Sequence, residues 1–141
     1  YLPDYKYDGP DLAKQLSHAE DYPQAARAAI REMVRQVGPP VYGEDGLMKR
    51  GVLLRHLILP GHTRNSIACL GRIREEFPGI PVSLMAQYTP CGDLSPFPEL
   101  QRAITRREQE KVEDALFALG LEGFTQERAA RGRQFIPDWN L

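Results

Sequence analysis

Cysteine is scarce in this chain: two in 141 residues, Cys69 and Cys91, with no CxxC spacing. That count argues against a disulfide framework and for a reducing compartment. Neither thiol has an obvious basic partner to activate it. Long apolar runs are also missing, since none approaches the roughly 18–20 residues of a membrane span. No stretch reads as a signal or transit peptide, and the cytoplasm is the expected location. Charge of one sign is not in excess: 18 basic residues against 19 acidic give a net charge of −1. There is therefore no electrostatic case for nucleic acid or another polyanion as partner. His62 has no second His, Asp or Glu at metal-ligand spacing, and Gly61 and Gly92 are isolated, so no phosphate loop is written here.

What is present suits one compact domain over residues 1–141, with 42% hydrophobic and 26% charged residues. The chain opens Tyr-Leu-Pro-Asp-Tyr-Lys-Tyr, with Tyr1, Tyr5 and Tyr7 alternating with Leu2, Asp4 and Lys6, as in a strand. Pro3 favours an edge or a strand start. It reads as a chain entered mid-strand, the back part of a longer protein. A short amphipathic turn is expected at 11–16. Asp21-Tyr22-Pro23-Gln24 carries the marks of a helix start, with Ala26, Ile30, Met33, Val34 and Val37 on one face and Gly38-Pro39-Pro40 as the stop. Residues 41–50 resemble an inserted hairpin.

The central stretch is Gly51–His62, Gly-Val-Leu-Leu-Arg-His-Leu-Ile-Leu-Pro-Gly-His. It is apolar enough for a strand of a parallel sheet, yet Arg55 and His56 sit in its middle. A polar cap at Thr63 or Asn65 then leads into a helix with Ile67, Leu70, Ile73 and Phe77 inward. Ile80–Met85 is the next strand, running into Gln87-Tyr88-Thr89 and a polar, proline-rich loop from Cys91 to Pro98. Thr105-Arg106-Arg107-Glu108 is a capping box for a last helix burying Val112, Ala115, Leu116 and Leu119. A short strand at 123–126 and an extended tail from about 127, with Phe135, Ile136 and Trp139, complete the chain. Strands alternating with helices imply α/β architecture with parallel pairing. Three or four such strands are few for a closed barrel and would make half of one.

In such folds the C-terminal strand ends carry function. Asp4 and Lys6 share a face and would look into a barrel interior. Arg55 has the fork geometry for a carboxylate or phosphate, and a structural pair with Asp4 is an equal alternative. His56 faces the other way and is expected to pack under a helix. His62 stands at a strand end. Gln87 and Tyr88 follow a strand, where they would bond a ligand or simply pack the loop. Arg102, Arg106, Arg107 and Lys111 read as a solvated helix face.

The opening heptapeptide, the Gly51–His62 stretch, Ser-Leu-Met-Ala-Gln-Tyr-Thr-Pro and Phe-Ile-Pro-Asp-Trp resemble the radical S-adenosylmethionine proteins, on the branch of pyruvate formate-lyase activating enzyme homologues. The resemblance spans essentially the whole chain and corresponds to the C-terminal half of such a protein. It implies the C-terminal half of a partial (β/α)6 TIM-like barrel. It also implies a [4Fe–4S] cluster that cleaves S-adenosylmethionine to a 5′-deoxyadenosyl radical, with a glycyl-radical enzyme as partner. Asp4 and Lys6 match the Asp-x-Lys strand that helps hold S-adenosylmethionine, the Asp also lying near a monovalent-cation site. Arg55 matches the strand arginine near the cofactor. Two departures stand out. The cluster motif Cys-x3-Cys-x2-Cys is absent, so the chain alone is expected to be inactive. Thr89 stands where the activating enzymes carry a histidine after the tyrosine.

Two other readings remain open from the residues themselves. One is a metal-free (β/α) barrel lyase or aldolase with Lys6 as Schiff-base amine and Asp4 tuning it. The other is a non-catalytic binding or assembly module. On any half-barrel reading, exposed strand edges and apolar surface imply self-association of the piece.

Overall fold

The computed structural model describes residues 1–125 of the chain. The expected tail with Phe135, Ile136 and Trp139 lies outside the described residues, as does Gln126. Helices α1 (Pro10–Ser17) and α2 (Tyr22–Val37) come first, then a hairpin of β1 (Val41–Tyr42) and β2 (Met48–Arg50). Strand β3 (Leu54–Leu57), helix α3 (Thr63–Glu76) and strand β4 (Val82–Met85) follow. A single 3-10 turn (Pro98–Gln101), helix α4 (Arg106–Ala118) and strand β5 (Gly123–Phe124) end the described chain. None of these helices is long and apolar enough to cross a membrane.

The sheet is parallel and sequential, β3-β4-β5, with Leu54 opposite Val82 and Val82 opposite Gly123. Its crossovers are α3 and α4, the βαβ arrangement that alternating strand and helix signals dictate. The hairpin at 41–50 forms antiparallel, as expected. The architecture is thus mixed α/β with a short, open parallel sheet. Closure into part of a barrel is not seen among the described residues.

The opening residues are a correction to the sequence reading. They lie parallel to β3, through Leu53 N–H to Tyr1 O, Arg55 N–H to Pro3 O and Tyr5 N–H to Arg55 O, each 2.9 Å. Yet only one isolated bridge, Asp4 with Arg55, satisfies strand pairing. Pro3 has no N–H to offer where the ladder would continue, so a full fourth strand does not form.

Alternation along β3 and β4 decides which face is inside. Leu54, His56 and Ile58 on one strand and Val82 and Leu84 on the other are buried, while Leu53, Arg55, Leu57, Ser83 and Met85 are half-buried. The buried set packs with Tyr5, Ile30, Cys69, Leu70, Ile73, Phe77, Val112 and Leu116, which come from α2, α3, α4 and the opening segment. All four-sided cover is therefore on one face. The opposite face has no fully buried side chain among these strands, an unusual state for a parallel sheet.

Helix starts were only partly legible. Thr105 forms the expected capping box with Glu108. Asp21 stands at the N-cap of α2 but makes no side-chain cap bond, because its backbone is already helical (φ −85°, ψ −6°) rather than extended. His62, not Thr63 or Asn65, holds the N-cap position of α3. Asn65 is engaged elsewhere, by the main chain of Lys6 and Asp8. Close packing explains Gly123: a Cβ there would stand 2.6 Å from Leu116 Cδ2.

A one-sided sheet makes a quantitative prediction. Leu54→Ala, on the covered face, should lower the unfolding free energy in urea by about 3 kcal/mol. Leu57→Ala, on the open face, should cost less than about half of that. Equal costs would contradict the assignment of faces.

Candidate functional site

Register brings the first two candidates together. Asp4 and Arg55 are bridge partners, and Arg55 Nε donates to Asp4 Oδ1 at 2.7 Å. Their side chains are 31% and 42% exposed, so the pair stands on the open face in partial contact with solvent. An ion pair that wet contributes under about 1 kcal/mol to stability. Only one guanidinium nitrogen and one carboxylate oxygen take part, which leaves Arg55 Nη1 and Nη2 as donors and Asp4 Oδ2 as an acceptor. Leu53, Leu57 and Met85 supply the apolar surround. Lys6 lies two residues beyond Asp4, exposed, and its ammonium has no ion-pair partner among the described residues. The arrangement can hold a ligand with both an anionic group and hydroxyls on an apolar scaffold.

Tyr88 is drawn away from this arrangement. Gln87 is exposed in the loop after β4, and Tyr88 donates its hydroxyl to Leu100 O at 2.8 Å. Tyr88 therefore fastens the loop to the 3-10 turn, the packing alternative of the sequence reading.

Behind the pair lies His56, fully buried. Its Nδ1 is 2.7 Å from Tyr5 O and its Nε2 is 2.8 Å from Ser66 Oγ. A carbonyl only accepts, so Nδ1 carries the proton and, in the neutral ring, Nε2 accepts from the serine hydroxyl. Burial holds the imidazole below its ordinary value, so it stays neutral in the fold. The expectation that His56 packs under a helix is met, with α3 supplying Ser66.

The strand end past β3 is latched by two carboxylates. Gly61, at φ +77°, turns the chain in a region that glycine tolerates, and its N–H donates to Glu108 Oε1 at 2.8 Å. His62 Nε2 meets Glu99 Oε1 at 2.8 Å. Arg102 reaches both oxygens of Glu108 at 2.8 and 2.9 Å. Its guanidinium is the first cause that holds the Glu108 carboxyl well below the usual carboxylate range. Arg102 is thus not part of a solvated helix face: it precedes α4 and closes the latch. Glu108 was visible in advance through its capping box, whereas nothing in a proline-rich loop marked Glu99.

Cys69 is buried, and burial pushes its thiol up; Cys91 is exposed. Among the described residues no three ligating side chains come together. Among the described residues there is therefore no set of side chains that would ligate an iron–sulfur cluster.

The His56 network predicts a pH dependence. The folded imidazole titrates below the ordinary 6.5, so the unfolded chain takes up the proton first as pH falls. Stability is then complete above about pH 6.5 and declines below it, by up to about 1.4 kcal/mol per pH unit. Denaturation between pH 8 and pH 5.5, on the order of that range, should show this slope in the parent chain and lose it in His56→Gln. Equal slopes would remove His56 as the cause.

No family model matches the chain, and neither a curated protein nor a solved structure matches it.

Proposed function

We propose that this chain is the C-terminal portion of a radical S-adenosylmethionine enzyme of the activating-enzyme type. In this reading it is the later β/α units of a partial (β/α)6 barrel, inactive alone. The observation that supports it best is the Asp4–Arg55 pair, bridged in parallel register on the uncovered face of a one-sided sheet. A half-exposed arginine and aspartate with unused donors and an unused acceptor leave polar groups available to a ligand. The reading takes the open face as the side that a barrel interior would occupy, with exposed Lys6 two residues past Asp4.

On this reading Asp4, through Oδ2, would hold hydroxyls of S-adenosylmethionine, and Arg55, through Nη1 and Nη2, would hold an anionic or carbonyl oxygen. Lys6 would add a positive charge, and the half-buried Leu53, Leu57 and Met85 would supply apolar surface. A [4Fe–4S] cluster, which no residues of this chain would ligate, would supply the electron for reductive cleavage of S-adenosylmethionine in the parent protein. A glycyl-radical enzyme is the partner this branch implies. A second chain or chain segment would cover the open face.

The deciding test is the coding sequence upstream of the Tyr1 codon. An in-frame Cys-x3-Cys-x2-Cys run followed by β/α units supports the reading; a start codon placed directly there overturns it. At the protein level, calorimetric titration should detect S-adenosylhomocysteine binding to the chain, weakened about tenfold or more by Asp4→Ala or Arg55→Ala. The open face also predicts association: light scattering at rising concentration should show dimers or larger species. A monodisperse monomer throughout would count against an interior face left uncovered.

A further inference from the structure

The stretch from Asp4 to Asp8 belongs to no helix and, beyond one bridge, to no ladder. Its peptide groups are instead bonded by side chains from three other elements. Tyr22, the first residue of α2, donates its hydroxyl to Asp4 O at 2.8 Å and accepts from Lys6 N–H at 3.1 Å. His56 of β3 takes Tyr5 O. Asn65 of α3 donates to Lys6 O at 2.8 Å and accepts from Asp8 N–H at 3.1 Å.

Strand geometry says where Tyr22 stands. Tyr1, Pro3 and Tyr5 turn their main-chain groups to β3, so Asp4 O and Lys6 N–H face the outer edge. A neighbouring strand would bond that carbonyl and that amide; the Tyr22 hydroxyl bonds both. Its ring is fixed independently, edge-on to Tyr7 with centroids 5.6 Å apart and planes at 78°. Burial raises the phenol above its ordinary value, which keeps the proton that the bond to Asp4 O requires.

We propose that Tyr22 is a positioning residue of the Asp4–Arg55–Lys6 site: its hydroxyl bonds the carbonyl and the amide on the outer edge of the opening segment and so fixes the two peptides that carry Asp4 and Lys6. The inference rests on the ligand-binding reading above only for its effect on affinity. Its structural content stands apart from that reading.

The test is Tyr22→Phe, with Tyr7→Phe as control, since the latter loses only a hydroxyl contact to Ser17 Oγ at 2.8 Å. Hydrogen exchange by NMR reads the Lys6 amide and the Arg55 Nε–H that bonds Asp4. In Tyr22→Phe both should exchange about tenfold faster or more, with the β3–β4 ladder amides unchanged. In Tyr7→Phe both should keep the parent rates. Faster exchange at Lys6 with an unaltered Arg55 Nε–H would overturn the proposal and leave Tyr22 a purely local brace. Unaltered rates at both would overturn it outright. Titration with S-adenosylhomocysteine separates the two claims. If the parent chain binds, Tyr22→Phe should weaken binding about tenfold, and unchanged affinity would overturn the positioning role. If the parent does not bind, the functional reading fails while the exchange rates still decide on Tyr22.

Discussion

Everything in the described fold turns on a buried neutral imidazole. His56 joins the opening segment, β3 and α3 through two short hydrogen bonds and excludes water from all three. Because it is on the covered face, strand alternation leaves its neighbour Arg55 on the uncovered one. The same alternation puts Asp4 across from Arg55 and Tyr5 across from the core. One buried polar group, fully satisfied, therefore marks which residues meet the core and which stand on the open face.

The two ends of the sheet are treated differently. At the end where β3 stops, Gly61, His62, Glu99, Glu108 and Arg102 tie the following loops together through charge-assisted bonds. Glu108 serves three masters there, capping α4, accepting from Gly61 and pairing with Arg102. The chain that leaves β3 is thereby held by fixed bonds to the 3-10 turn and to α4.

Much of this was written in the sequence, and the failures have physical causes. Period-two and period-3.6 patterns placed β3, β4 and every long helix, because burial on one face is what both patterns encode. The pairing of Asp4 with Arg55 was legible as an alternative, since both alternate with apolar or aromatic residues. Pro3 was read as an edge signal, but its effect was larger, removing the ladder around it. Asp21 and Asn65 carried cap chemistry that the backbone did not use, since a cap also needs extended geometry at that residue. Tyr22 and Glu99 were invisible as partners: a hydroxyl that meets a distant peptide, or a loop carboxylate that meets a histidine, leaves no periodic trace. Gln87 and Tyr88 looked equivalent to the others at a strand end, and only the bond to Leu100 O separates Tyr88 from the site.

The sparse attachment of the opening segment has a consequence for how the molecule breathes. Its pairing with β3 spans some fifty residues of chain, a closure entropy of several kcal/mol on a logarithmic scale. Three main-chain bonds to β3, the side-chain bonds from Tyr22, His56 and Asn65 and the burial of Tyr5 oppose that entropy, whereas β3 and β4 share a continuous ladder. The segment bearing Asp4 and Lys6 is thus a unit whose local opening would leave the β3–β4 ladder in place. A molecule that grips Asp4 and Arg55 together closes that opening, so its binding energy is shared between recognition and the docking of a strand.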